Sequence, residues 1–463
     1  MGRGRNRKGK TDEESILTEA SRIKQQAERK PDGPERIPLL EKCAQLFQNA
    51  LNSGLSIRDR EEALFDLGEV FLLWSSAVKK ATYWGNDSAF KGSIKKYDAI
   101  QMQHEASIHA ASFCRKSVET YKMVYAIEGG EVKQESLVNC ANALCGWGDL
   151  VCDIPNDKGG GITLAASLYA EADNMYSGAL TLDPEDVELL TNFGDCCIKR
   201  AELAYVLLNS TTMEVNQSWT SATQFYEQAF RAYAHACSRA DVKVGDDLAG
   251  LLQNWGAGLL SFAEHTVDIA VAAKAFKDAE EKMKNAANFS RLDISIYIAL
   301  GELFSVQADR FSQDTDYQPQ VLNLLEKASN EGYGIALEID ATNLDALIGL
   351  GEVCSASRKH FLQLGDTQKA EEHSVKSLHW YLRALNLLEA SVNKYELNFE
   401  EQYDLMYNMA CAAEICGKEG AASQTFKHLL QVEAISPAEI AENPELQSLR
   451  DRDWFVSLMK QKS

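Results

Sequence analysis

Proline is scarce in this chain, at 8 residues in 463, and no run of about twenty apolar residues occurs. The scarcity of proline permits long helices, because a proline inside a helix removes a hydrogen bond and clashes with the preceding turn. The lack of a long apolar run leaves no segment suited to span a bilayer as a helix. Cations are short as well: 47 Lys and Arg face 68 Asp and Glu, a formal net charge of −21. That balance opposes non-specific binding to nucleic acid or to an anionic membrane, and attracts basic partners. The 11 cysteines form no CxxC pair. Cys196, Cys197, Cys237, Cys354 and Cys411 fall inside helical patterns, so they read as small buried hydrophobes of a reducing compartment rather than disulfides or zinc ligands.

Catalytic signatures are missing too. The chain has no Walker loop, no GxGxxG after a strand, no HExxH and no GxSxG. Gly159, Gly160 and Gly161 lack the Lys and Ser/Thr that a phosphate loop needs, and read as a loop between helices. His104 and His109 are spaced wrongly for one helical face. The expectation is a protein that is not an enzyme, with no catalytic residue, no metal site and no cofactor.

What is present is a recurring phrase, apolar-x-x-apolar-Gly-acid. It appears at Leu64 to Glu69, Leu144 to Asp149, Leu190 to Asp195, Tyr297 to Glu302 and Leu347 to Glu352. Looser copies run from Leu252 through Gly256 and from Met406 through Ala410. A second phrase follows each first one, clearest at Ala172, Tyr176 and Ala179 and repeated at Ala229, Tyr233 and Ala236. Further copies hold Ala279, Met283 and Ala286, then Tyr333 with Ala336, then Tyr381 with Ala384. Spacings of three and four put these residues on one helical face. Small residues let two helix backbones approach, and the aromatic fills the space between neighbouring units. Recurrence of this kind signals a stacked array, in which each unit buries its apolar face against its neighbours.

The two phrases in this order resemble the tetratricopeptide repeat (TPR), a helix–turn–helix unit of about 34 residues. The resemblance spans residues 37 to 430. It implies an all-α fold, a TPR-like right-handed α-solenoid of seven or eight helical hairpins, with the first phrase on first helices and the second on second helices. Every interval between successive glycine markers exceeds the family's period, so each unit carries an insertion. Some lengthen a helix, as from Asp195 to Leu208; others read as loops, at 83–97, 209–218, 159–161 and 311–320. The expected organisation is a disordered basic tail at 1–11, an N-terminal helix and linker at 12–35, the array at 36–435 and a C-terminal capping helix at 436–463. Trp454, Phe455 and Leu458 would close the last unit.

In the family the residue after the small one faces the concave groove. The resemblance therefore implies a line of carboxylates, Glu69, Asp149, Asp195, Glu302 and Glu352, able to attract basic or amphipathic segments of partner proteins. The alternative for these acids is an ordinary solvated helix face. The family's chaperone-tail clamp needs a basic residue at the positions held here by Phe65, Cys145 and Thr191, so a heat-shock co-chaperone is the weaker reading. A mixed insertion holds Trp84, Lys91, Lys95 and Lys96, either a contact loop or a segment packed on its own helix. Arg3, Arg5, Arg7, Lys8 and Lys10 form a basic tail, either a solvated arm or a contact for RNA, the ribosome or an import receptor. Gly2 does not signal myristoylation, because Asn6 stands where Ser or Thr is required. The expectation is a non-catalytic interaction scaffold of the cytoplasm, with the nucleus also open, no membrane partner, and nucleic acid only through the tail.

Overall fold

The computed structural model describes residues 12–53, 55–84, 96–127, 133–152, 160–210, 215–239, 246–390, 397, 399–443, 446–447, 452 and 455–456. Among the described residues every regular element is a helix and no strand occurs. The chain is all-α, built of repeated helix–turn–helix units, and it divides into two compact units. Residues 1–85 with 102–239 form the first, and residues 86–101 with 240–463 the second.

In the first unit, α1 (Asp12–Glu28) and α2 (Ile37–Leu51) form a hairpin around a 3-10 turn at Pro34–Arg36. Then come α3 (Ile57–Trp84) with α4 (Lys96–Tyr125), α5 (Lys133–Cys152) with α6 (Gly160–Leu182), and α7 (Val187–Ser210) with α8 (Val215–Cys237). The second unit pairs α9 (Asp246–His265) with α10 (Ile269–Phe289). Next, α11 (Ile294–Ser312) packs on a composite helix: α12 (Val321–Lys327), a π-helical turn at Ala328–Tyr333, and α13 (Gly334–Ile339). Two more hairpins follow, α14 (Leu344–Gln363) with α15 (Thr367–Ala390) and α16 (Phe399–Ile415) with α17 (Glu419–Gln431). The short α18 (Pro437–Glu442) comes last, started by a Ser436/Glu439 capping box.

Turns between successive hairpins share one chemistry. Asp293 accepts from the Ser295 amide at the start of α11, Asn343 from the Ala346 amide at α14, and Asp186 from the Leu189 amide at α7. Each satisfies a donor that a helix start leaves open.

The hairpins are locked by rings lying on glycines. A Cβ added at Gly68, Gly148, Gly194, Gly301 or Gly351 would lie 2.5 to 2.7 Å from the ring of Tyr121, Tyr169, Tyr233, Tyr333 or Tyr381 respectively. At Gly256 the same space is filled by Met283. Ser117 and Ser377 donate to the Gly68 and Gly351 carbonyls at 2.9 Å beside these crossings. The phrase thus encodes a crossing too close for any side chain on the first helix, with the neighbouring helix supplying the bulk.

Several details differ from the pattern read in the sequence. Gly148 receives Tyr169, one heptad before the quoted Tyr176, whose hydroxyl instead donates to Asn142 Oδ1 at 2.5 Å. Gly160 and Gly161 open α6 instead of forming a loop. Residues 311–320 are a helix end, a turn and a 3-10 turn at Gln318–Gln320. In the composite second helix, Ala328 and Tyr333 are five apart where the other copies have four, and the π turn absorbs the extra residue. There Gly332 meets Gly301 backbone to backbone, while the Tyr333 ring fills the space over both Gly301 and Gly349. At the C-terminus Leu446 and Phe455 are buried with the α16/α17 core, while Trp454 and Leu458 lie outside the described residues.

Gly194→Ala should destabilise the chain by about 1–3 kcal/mol, the usual cost of overpacking a closed contact. Gly250→Ala, where nothing lies within 4 Å, should be neutral or stabilising by up to about 1 kcal/mol. Urea unfolding of both variants checks this, and equal effects would refute the ring-on-glycine account.

Candidate functional site

Carboxylates that follow the glycines sit on first helices, so the glycine crossing fixes where each one points. In the first unit they are taken up by neighbours. Tyr169 donates to Asp149 and Tyr233 to Asp195, each at 2.5 Å, and these are the same tyrosines whose rings cover Gly148 and Gly194. One tyrosine therefore closes the helix crossing with its ring and engages the following acid with its hydroxyl. Glu69 is bound by the ammonium of Lys24, which also reaches Asp66 at 2.7 Å. Burial works against the Lys24 charge, but the two carboxylates more than offset it and hold its pKa above the ordinary value. Lys199 lies close enough to Asp149 to feel its charge and pairs with Glu202 at 3.0 Å. Asp173 with Arg200 ties α6 to α7, and Glu185 in the turn before α7 pairs with Arg239 just beyond α8.

The second unit treats its first-helix acids differently. Glu302 on α11 and Glu352 on α14 have no ion-pair partner among the described residues. Both pKa values lie above the ordinary glutamate value. Partial desolvation of the two exposed side chains by the surrounding protein is the first cause, and neighbouring carboxylates add to it. Glu264 of α9 acts on Glu302, while Asp404 of α16 and Glu302 itself act on Glu352. Four acids on four successive first helices thus form a series in which each lies within electrostatic reach of the next. Beside Glu352, a cavity of about 230 Å³ between α11, α12 and α14 is lined by Asp309, Lys359 and His360 along with apolar side chains. Cations in this unit are engaged on the second helices, where Lys327 and Lys284 both meet Glu280 at 2.9 Å.

Of the predicted site residues, then, Glu302 and Glu352 are brought together, and Asp149 and Asp195 are each held by a tyrosine. Glu69 belongs to an ion-paired cluster with Lys24. Arg3, Arg5, Arg7, Lys8, Lys10, Lys91 and Lys95 lie outside the described residues, as do the side chains of Trp84 and Lys96. Glu264 and Asp404 were not legible, because they lie away from Gly256 and Ala410 of the recurring phrase. Lys24 was not legible because it reaches Asp66 and Glu69 from a separate helix. Among the described residues no group of three His, Cys, Asp or Glu side chains is disposed to hold a metal, and no helix is long and apolar enough to cross a membrane.

No family model and no curated protein matches this chain. Among solved structures it is similar to the S. pombe nuclear import adaptor Nro1, with a TM-score of 0.43 and 9% identity over 75% of this chain and 98% of that one. It is also similar to the APC/C hetero-tetramer Cut9-Hcn1, with a TM-score of 0.29 and 11% identity over 96% of this chain and 92% of that one. A human IFIT1 dimer gives a TM-score of 0.22 and 13% identity over 92% and 96% of the two chains. Likenesses this distant say nothing of function.

An acid whose folded-state pKa is raised takes up its proton in the folded chain before the unfolded chain does. Stability from Glu302 and Glu352 is therefore lowest at neutral pH and rises as pH falls through their folded values toward 4.5, the ordinary glutamate value. The double variant Glu302→Gln/Glu352→Gln should melt higher than the parent at pH 7, and the gap should shrink as pH approaches 4.5. Thermal melts across that range check the sign; a gap that widens on acidification would refute it.

Proposed function

We propose that this protein is a non-catalytic interaction scaffold whose second unit receives a Lys/Arg-rich segment of a partner protein across its first helices. The observation carrying this reading is the set Glu264, Glu302, Glu352 and Asp404, which repel one another and include two carboxylates whose pKa values are raised by burial and mutual charge. Such an arrangement costs stability in the free chain, and a cation-rich segment relieves the cost on binding. Electrostatic attraction of this kind speeds encounter and sets specificity more than it sets affinity. The net charge of −21 adds a long-range pull on the same class of partner.

The reading narrows the role of the other acids. Asp149 and Asp195 act on this proposal as anchors of the hairpins, and Glu69 as the partner of Lys24. No catalytic step is assigned to the cavity beside Glu352; it would take one side chain of the bound segment.

A fluorescein-labelled peptide of alternating Lys and Ser, titrated against the full chain by anisotropy, tests the proposal. Glu302→Gln/Glu352→Gln should weaken binding about tenfold, a loss of roughly 1.4 kcal/mol, and should flatten its dependence on salt. Asp149→Asn should leave both nearly unchanged. Equal affinity and an equal salt slope in the parent and the double variant would sink the reading.

A further inference from the structure

A second surface of the second unit has the opposite chemistry. Between the second helices α12 and α15, over α14, lies an open groove of about 830 Å³. Its floor is apolar, formed by Leu325, Val353, Phe361 and Trp380. One wall is α15, where Lys369, His373 and Lys376 recur at helical spacing, so three nitrogen bases line one edge. Lys376 has no carboxylate partner among the described residues, and Lys369 meets half-buried Asp366 at 3.5 Å and stands over the Phe361 ring at 5.2 Å. The Nδ1 atom of His373 is buried without a hydrogen-bond partner. Burial together with Lys376 and Lys369 pulls the pKa of this histidine down, against the weaker effect of Glu372. The other wall carries one acid, Glu326, and then Ser329 and Asn330 on the π turn.

Comparison with the preceding pair of second helices shows why this groove stands open. There Glu280 of α10 meets Lys327 of α12, and Lys284 meets Glu331 at 2.7 Å, so ion pairs cross the seam. Among the described residues no ion pair joins α12 to α15. Val375, 58% exposed, stands on the α15 wall as an apolar side chain left in water.

We propose that this groove docks an acidic amphipathic helix of a partner protein, its apolar face on Leu325, Phe361 and Trp380 and its carboxylates against Lys369, His373 and Lys376. Charge complementarity selects the occupant: Lys369 and Lys376 are two cations on one wall of a chain of net charge −21. Length agrees as well, since Lys369 to Trp380 spans about three helical turns, roughly 16 Å at 1.5 Å per residue. Recognition follows the helix-in-groove mode, with anchors at i, i+3, i+4 and i+7. The groove shares Leu325 and Val353 with the cavity beside Glu352 but uses none of the first-helix carboxylates, so each proposal is tested by its own variants.

The probe is a labelled 18-residue peptide with Leu at i, i+3, i+4 and i+7 of each two turns and Glu at most other positions, titrated against the full chain by anisotropy. Saturable binding is expected, at least tenfold tighter than for a scrambled peptide of the same composition. Lys369→Glu/Lys376→Glu should weaken it at least tenfold, and Val375→Asp, which changes an exposed side chain, at least threefold. Glu302→Gln/Glu352→Gln should leave it unchanged, and circular dichroism melts would confirm that each variant folds. No saturable binding by the parent, equal binding of the scrambled peptide, or unchanged binding by the charge-reversed variant would overturn the proposal. So would displacement of the peptide by a fluorescent fatty acid that the charge-reversed variant also loses, which would make the occupant a lipid.

Discussion

Five hairpins depend on a ring pressed against a glycine. Where Tyr121, Tyr169, Tyr233, Tyr333 and Tyr381 lie over Gly68, Gly148, Gly194, Gly301 and Gly351, the two helices approach closely enough that no side chain fits on the first. The fit is steric before it is chemical, since Met283 fills the same space over Gly256. Close-packed interiors accept little change in volume, so these crossings set the angle and depth of each hairpin. They also set which residues face outward, because the acid after each glycine is carried round to the side that the ring leaves open.

The same crossing produces two electrostatic outcomes. In the first unit the tyrosine is long enough to engage the acid it exposes, and lysine or arginine from neighbouring helices takes up the remaining charge. In the second unit Tyr333 lies over both Gly301 and Gly349, and the acids beside it face carboxylates of adjacent first helices. Cations there are engaged on the second helices, some closing seams between them and others lining the groove of α15. The unpaired acids Glu302 and Glu352 thus lie on first helices, while the ion pairs of Glu280 and Glu331 with lysine join second helices.

Much of the fold was legible because its code is local. The glycine and the alanine–aromatic spacing lie within single helices, and a period of three to four is enough to read them. What could not be read is whatever depends on pairing between helices. Lys24 meets Glu69 from a helix two elements earlier, Glu264 and Asp404 enter the acid set away from Gly256 and Ala410 of the recurring phrase, and Gly148 takes Tyr169 in place of Tyr176. A heptad carries two candidate rings on α6, and only packing decides which one reaches the glycine. The groove of α15 was invisible for a similar reason: Lys369, His373 and Lys376 read as an ordinary exposed face until α14 and α12 supply its floor and far wall.

One small irregularity has a wide consequence. The π turn at Ala328–Tyr333 swallows one surplus residue and still delivers Tyr333 to Gly301. A helix able to bulge in this way tolerates single insertions or losses in the gene without disturbing which faces meet. The length of a unit and the placement of its ring are thereby set independently, and the second is kept here while the first grows by one residue.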